Sequence, residues 1–256
     1  MITKRTLFIG VSVCLILLII FVVLELVYIA KNGTPVDAPK IPRTSQTLSK
    51  NGPKLHYVVM GDSTSIGQGA DYKDSYSYQS AQHIAAKYAV TLTNVGVSGA
   101  RARDVQAIQL PQALKLHPDI VLLAIGANDV THFTSKKAFE RSVQQTIDGL
   151  RKDNCDLKIV VTGVPAMGSV DRFPPGARQL AGFRTRQLNG VYEKLITKNH
   201  LVSAPVAART GPTFAADPTL FGPDKFHPNK RGYAVWTPVI NEGLDSALNS
   251  TPDTCK

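Results

Sequence analysis

The sequence predicts an α/β fold in which helices cover both faces of a parallel sheet, preceded by one membrane-spanning helix. Short apolar runs alternate with segments of helical periodicity along most of the chain, and this alternation is typical of a parallel sheet. One run, residues 120–125, is continuously apolar, as in a strand that is buried on both faces. The length of 256 residues suits a single domain with a sizeable core.

Residues 1–30 are predicted to be a cytoplasmic stub and a transmembrane signal anchor. No charged residue occurs from Leu7 to Leu24, and the apolar run is long enough to span a bilayer as a helix. A cleaved signal peptide is the alternative, but its apolar region has about 7–15 residues, and no Ala-x-Ala pattern closely follows this run. Because Lys4 and Arg5 precede the helix, the rest of the chain is expected outside the cytoplasm.

Residues 31–53 are predicted to form a linker that holds the domain off the membrane. They contain glycine and several prolines and show no apolar periodicity. The catalytic domain is expected at residues 54–248, and residues 249–256 are expected to be a loose tail. Glu25 lies near the outer end of the apolar run, where it can reach the interface, and we expect it to be merely tolerated there.

Strands and helices alternate through the predicted domain. Strands are expected at residues 55–60, 90–95, 120–125, 157–162 and 201–203. Helices are expected at residues 74–88, 103–116, 136–152, 182–198 and 230–248, the second of them with a break at Pro111 as one alternative. Residues 164–177 and 204–223 are expected to be loops that rim the site, and their Phe and Pro residues suit either an acyl chain or the packing of the loops themselves.

Charge and cysteine content limit the possible partners. The formal net charge of +10 favours anionic surfaces such as lipid headgroups or cell-wall polymers, although a plainly solvated basic surface is the alternative. No block of five Lys or Arg residues occurs, so nucleic acid is not an expected partner. Cys14 lies within the apolar run, whereas Cys155 and Cys255 are able to pair in an oxidising compartment, and pairing and non-pairing both stay open.

Residues that carry chemistry follow successive predicted strands, and sites in parallel sheets form at the carboxyl ends of the strands. A Gly-Asp-Ser turn with Ser63 follows the first strand, Gly96 follows the second, and Asn128 follows the third. A serine hydroxyl needs a base, and His227, with Asp224 three residues earlier, suits that role. Each signal alone also fits a turn or a helix cap, but the combination predicts one site.

Together, these blocks resemble those of the SGNH/GDSL hydrolases, and the resemblance covers about residues 54–248. It implies a flavodoxin-like, three-layer α/β/α sandwich with a five-stranded parallel sheet. It also implies that Ser63 is the nucleophile, that His227 is the base and that Asp224 orients His227. The implied oxyanion hole consists of the backbone N–H groups of Ser63 and Gly96 and the side chain of Asn128.

The resemblance implies a serine carboxylester hydrolase of the esterase or lipase type, acting on acyl esters of lipids or on O-acetylated carbohydrates. An acyltransferase on a cell-surface glycan and a catalytically silent binding module of the same fold are the alternatives. No cofactor or metal is expected, because the sequence has neither a metal-ligand spacing nor a phosphate loop. The expected partners are the acyl-ester substrate and, through the N-terminal helix, the membrane.

Three further residues near these blocks are expected to have lesser parts. Asp62 and Asp129 are predicted to brace their turns through hydrogen bonds rather than to act in catalysis. His132 follows Asn128 closely and is either a surface histidine or a contact to the substrate.

Overall fold

The structure, a computed structural model, describes residues 4–42, 44–152 and 154–250. Its centre is a sheet of six strands in the spatial order β1-β3-β2-β4-β5-β6. The strands are β1 (Gln46–Thr47), β2 (Lys54–Gly61), β3 (Ala89–Asn94), β4 (Ile120–Ala124), β5 (Lys158–Val161) and β6 (Val202–Ser203). Strands β2 to β6 are parallel, so the five predicted strands and their parallel sheet are confirmed.

The sixth strand, β1, corrects the predicted strand count and lies in the segment predicted to be a linker. It pairs antiparallel with β3, and the Leu48 N–H extends the pairing by donating to the Val90 carbonyl at 2.9 Å. A two-residue strand is too short to show an apolar period, so no sequence pattern predicts it. By pairing with β3 it covers backbone groups that an edge strand would otherwise expose.

Helices pack on both faces of the sheet, which gives the three predicted layers. One layer contains α2 (Tyr76–Ile84) and α9 (Lys230–Asn249), with α8 (Val206–Ala216) against α9. The other contains α3 (Ala102–Asp104), α4 (Leu110–Leu114), α5 (Ala127–Thr131), α6 (Lys136–Lys152) and α7 (Pro175–Lys198). Short 3₁₀ turns occur at Tyr72–Asp74, Met167–Ser169 and Pro218–Leu220.

The predicted helix 103–116 is divided differently from the expectation. A π-helical segment, Val105–Gln109, connects α3 to α4, and Pro111 causes no break because it lies in the first turn of α4, where its missing N–H is not needed. The π-helical segment includes the fully buried Gln109, whose side chain accepts from the Gly61 N–H and donates to the Gly61 carbonyl, both at 2.8 Å. This clamp holds the end of β2, directly before the Gly-Asp-Ser turn.

Two predicted loops are partly helical. Helix α7 starts at Pro175 instead of residue 182, because proline suits the first helical turn. The segment predicted as the loop 204–223 contains α8, although Gly211 and Pro212 suggest a break. Tertiary packing outweighs these signals, since Val206 and Phe214 are buried in the core.

The N-terminal helix α1 (Lys4–Lys31) lies outside the core. Within Phe8–Lys31 an 18-residue stretch has a mean hydropathy of 3.1, and none of its residues is buried in the protein. A helix of this length and composition is able to cross a membrane, either as an anchor or as a signal sequence. The question whether Cys155 pairs with Cys255, which the sequence leaves open, involves a residue outside the described part of the chain, and most of the predicted tail also lies outside it.

Candidate active site

The turn after β2 places Ser63 at the carboxyl edge of the sheet. The Asp62 carboxylate accepts hydrogen bonds from the Thr64 N–H at 2.9 Å and the Thr64 hydroxyl at 2.8 Å, and its backbone carbonyl accepts from the Ser65 hydroxyl at 2.7 Å. At Gly61, a Cβ atom would lie 2.5 Å from the Ala124 carbonyl, so the close approach of β2 to β4 requires glycine. Asp62 therefore braces the turn, as the sequence predicts.

Ser63, His227 and Asp224 form a continuous chain of hydrogen bonds. The Ser63 Oγ lies 2.8 Å from the His227 Nε2, and the His227 Nδ1 lies 2.5 Å from the Asp224 Oδ2. The other Asp224 oxygen accepts the backbone N–H groups of Phe226 and His227, both at 3.0 Å. Ser63 and His227, which lie 164 positions apart in sequence, thus meet at one edge of the sheet.

The surroundings of Asp224 favour its charged form. Burial acts to raise the pKa of this carboxyl group, but hydrogen bonds from His227 and the Phe226 N–H outweigh burial, so the net pKa is lowered. Because Asp224 is ionised, the His227 Nδ1 carries the hydrogen that it donates to this carboxylate. The neutral ring then presents the lone pair of Nε2 to the Ser63 hydroxyl, which is the arrangement of a general base.

Two of the predicted oxyanion donors have a hydrogen available. The Ser63 N–H has no hydrogen-bond partner within the described residues. Asn128 is the second residue of α5, which begins after the N-cap residue Gly126 (φ +132°). Its Nδ2 donates one hydrogen to the Ala100 carbonyl at 3.0 Å, and an amide nitrogen has a second hydrogen to donate.

The structure does not place Gly96 as the sequence predicts. Its N–H donates to the Asn94 Oδ1 at 2.9 Å, and a Cβ atom there would lie 2.0 Å from the Ser65 Oγ, so Gly96 is packed within the loop. Gly99 in the same loop is exposed, has φ +78° with open space around its Cα, and its N–H has no partner within the described residues. Within the described residues, the N–H groups of this loop that remain available are those of Ser98 and Gly99, and the positive φ of Gly99 sets its N–H apart.

The neighbouring polar residues support the site. The Asp129 Oδ2 accepts the Ala102 N–H at 2.9 Å and thereby connects α5 to α3, which is the bracing role expected of Asp129. Burial raises the pKa of both Asp62 and Asp129. The exposed His132 donates from Nδ1 to the Asn128 carbonyl at 2.9 Å. Among the residues that the structure describes, no group of His, Cys, Asp and Glu is arranged to hold a metal ion.

An apolar cavity of about 20 Å³ lies next to the Ser63 turn and His227. Thr64, Phe226 and Pro228 line it from the site's own segments. The two stretches expected to rim the site also contribute, with Val170 from the first and Phe221 from the second. These aromatic and aliphatic side chains make the immediate surroundings of the site apolar.

Comparison with known protein families identifies the family to which the chain belongs. Residues 59–235 match the model of the GDSL-like lipase/acylhydrolase family, and the chain belongs to this family. The resemblance seen in the sequence is therefore confirmed. A comparison with curated protein sequences found no match.

Solved structures of similar fold include enzymes with different ester substrates. TesA superposes with a TM-score of 0.63 at 17% identity over 75% of this chain and 99% of TesA. A phospholipase A1 from Streptomyces albidoflavus gives 0.55 at 21% identity over 74% and 99% of the two chains. A catalytic mutant of Axe2, an acetylxylan esterase from Geobacillus stearothermophilus, gives 0.56 at 18% identity over 76% and 96%. At these identities the likeness shows a shared fold.

Proposed function

We propose that this chain is a serine carboxylester hydrolase that cleaves acyl esters at Ser63. The observation that carries the proposal is the hydrogen-bonded chain from Ser63 Oγ through His227 to Asp224, at 2.8 and 2.5 Å. An activated serine beside free backbone and amide N–H donors suits acyl transfer. Membership of a lipase/acylhydrolase family supports the same reaction class.

In the proposed mechanism, the Ser63 Oγ attacks the ester carbonyl carbon while the His227 Nε2 takes the hydroxyl proton. The Ser63 N–H, the Gly99 N–H and the Asn128 Nδ2 donate to the resulting oxyanion. When the carbon–oxygen bond of the ester breaks, His227 returns the proton to the departing alkoxide, which leaves as the alcohol. His227 then deprotonates a water molecule whose oxygen attacks the acyl carbon, and it returns this proton to the Ser63 Oγ as the bond between Oγ and the acyl carbon breaks and the acid leaves.

The test is hydrolysis of p-nitrophenyl acetate, butyrate and octanoate by the full chain in detergent micelles. Ser63→Ala should lower kcat by about 10⁶-fold, as does removal of the nucleophile in an unrelated serine hydrolase. Ser49→Ala is the matched control, because Ser49 has the same hydroxyl and bonds only a neighbouring backbone N–H. Retained activity in Ser63→Ala contradicts the assignment of the nucleophile.

Two other functions give different results in the same experiment. A binding module that keeps the fold but not the activity would hydrolyse none of the esters and would not react with a fluorophosphonate probe, which labels an activated serine. An acyltransferase would react with the probe but would need an added glycan acceptor to release p-nitrophenol at a high rate. The free donors and the intact hydrogen-bond chain favour the hydrolase and transferase chemistry over the silent module.

We also propose that α1 stays attached as a signal anchor, with its N-terminus in the cytoplasm and the domain outside. The charges of Lys4 and Arg5 before the apolar run support this orientation. The mass of the mature chain tests retention of α1, and protection of the domain from protease added on the cytoplasmic side tests its orientation. A mature chain that begins after residue 30 contradicts the anchor.

A further inference from the structure

The outer half of α1 packs against the catalytic domain. The Glu25 carboxylate accepts the N–H groups of Gly176 and Ala177 at 3.0 and 2.9 Å. These are N-terminal groups of α7 that lack a partner within the helix, and a negative charge at that end also suits the helix dipole. An acidic residue in an apolar run thus has a structural partner, a role that its sequence position does not suggest.

The residues that follow α1 are attached to the loop that contains Asp224 and His227. The Thr34 N–H donates to the Pro223 carbonyl at 2.8 Å, and the Lys225 Nζ donates to the Asn32 Oδ1 at 2.8 Å. At Gly33, with φ +92°, a Cβ atom would lie 2.4 Å from the Asp224 carbonyl. The catalytic edge of the domain is therefore held close to the outer end of the membrane helix.

The depth of this junction follows from the length of α1. Its 28 residues extend over about 42 Å, whereas the hydrocarbon layer is about 30 Å thick and needs about 20 residues. If the hydrocarbon begins after Arg5, its outer boundary lies near Glu25. Contacts made by α1 at Phe21 and Ile29 then lie on either side of this boundary.

An apolar crevice of about 620 Å³ lies between α1 and the domain at this depth. Phe21, Leu26 and Ile29 line it from α1, and Phe133, Phe173 and Leu180 line it from the domain. Phe133 is 61% exposed and Leu180 46% exposed, and the nearby Phe183 of α7 is 50% exposed. Exposed apolar side chains concentrated beside a membrane helix indicate contact with lipid.

Two aromatic contacts relate the wall of the crevice to His227. The Phe173 ring, which lines the crevice, lies 5.8 Å from the Phe226 ring, and the Phe226 ring lies 4.9 Å from the His227 ring. On the other side, Val130 lines the crevice two residues after Asn128. The crevice therefore lies close to His227, with the Phe173 and Phe226 rings between them.

We propose that this crevice receives the acyl chain of a membrane-resident lipid ester and guides its carbonyl to Ser63. The proposal rests on the proposed function and narrows its substrate class to lipids. The occupant follows from the position of the crevice, because a space lined by a membrane helix at the outer boundary of the hydrocarbon layer is accessible to the acyl chains of the bilayer. Lys31 ends α1, and the Arg172 N–H donates to the Lys225 carbonyl at 2.8 Å, so the positive charges of Lys31 and Arg172 near the junction suit the phosphate of a lipid headgroup.

The test compares two esters with the full chain reconstituted in vesicles of phosphatidylcholine and phosphatidylglycerol. One probe is 4-methylumbelliferyl oleate embedded in the vesicles, and the other is water-soluble p-nitrophenyl acetate. Leu180→Glu should lower the ratio of the oleate rate to the acetate rate by about tenfold or more, because it places a charge on the crevice wall. Ile108→Glu is the matched control, since Ile108 is 50% exposed and lies outside the crevice.

The outcomes separate the two proposals. If the wild-type chain hydrolyses the acetate but not the embedded oleate, or if Leu180→Glu leaves the ratio unchanged, the lipid route is overturned and the esterase function stands. If both glutamate variants lower the ratio equally, the effect is one of general charge and the crevice is again not the route. If the wild-type chain hydrolyses neither ester, the proposed function fails and the lipid route fails with it.

Discussion

Replacing Asp224 by asparagine should inactivate His227 by changing which ring nitrogen carries the hydrogen, while the ring keeps its position. One Asp224 oxygen accepts two backbone N–H groups, and the other accepts the His227 Nδ1–H. In Asp224→Asn the amide oxygen must keep the two backbone bonds, so the NH₂ group faces Nδ1. The ring then carries its hydrogen on Nε2 and cannot take the proton of Ser63.

The size of the effect follows from the same contacts. The active tautomer requires the amide to turn over and lose two backbone hydrogen bonds, each worth about 1 kcal/mol. A cost of about 2 kcal/mol leaves roughly one molecule in 30 in the active arrangement. We therefore expect kcat to fall by at least about 30-fold, and by up to about 10⁴-fold, the loss that the wrong tautomer causes in an unrelated triad.

The assay is kcat for p-nitrophenyl acetate in micelles, with the thermal unfolding midpoint measured in parallel to show that the variant is folded. Asp119→Asn is the matched control, since Asp119 also accepts a backbone N–H, that of His56 at 2.7 Å, but lies at the opposite end of β2. A folded Asp224→Asn enzyme with less than a tenfold loss would refute the tautomer argument.

Three further predictions test the oxyanion hole, a buried acid and the core. Asn128→Ala should lower kcat by about 10²- to 10³-fold with little change in KM, and steady-state kinetics showing a loss below threefold would remove Asn128 from the site. Burial raises the pKa of Asp62 above its ordinary 3.8, so the ionisation of this group lowers the stability of the fold as the pH rises from 3.8 to the raised pKa. Asp62→Asn should make this decline shallower in thermal melts recorded across acidic pH, with the contribution of Asp129 remaining, and an unchanged profile would argue against a buried titrating group at Asp62. Phe139 is fully buried and packs edge-on against Tyr192 at 5.3 Å, so Phe139→Ala should cost about 3–5 kcal/mol in denaturant unfolding, and a cost below 1 kcal/mol would contradict this packing.

The positions of Ser63 and Asn128 were predictable because each follows a strong strand signal, whereas Asp224 and His227 follow no predicted strand and were recognised by their spacing. Continuously apolar runs indicate parallel strands, and the carboxyl ends of such strands converge on one edge. The choice between Gly96 and Gly99 was not predictable in this way. Both lie in one loop, and only the folded backbone shows that the first N–H bonds Asn94 while the second is free.

The fold elements that escaped prediction depend on contacts distant in sequence. The π-helical segment Val105–Gln109 is stabilised by the hydrogen bonds between Gln109 and Gly61, 48 positions away. No local sequence pattern predicts this contact. Helix α8 contains Gly211 and Pro212, whose local preference favours a loop, and burial of Phe214 decides against it. The sequence alone indicates only a tolerated charge at Glu25, because its hydrogen-bond partner Gly176 lies 151 positions away.

The separation of Ser63 from His227 has a consequence for biosynthesis. A ribosome adds residues one by one, and the serine is made 164 positions before its base. Under the proposed mechanism, the Ser63 hydroxyl has no proton acceptor during that interval, so the growing chain is not yet able to hydrolyse an ester. The attachment of Thr34 to the Pro223 carbonyl likewise waits for the last quarter of the chain. The proposed activity therefore arises only when synthesis of nearly the whole chain is complete.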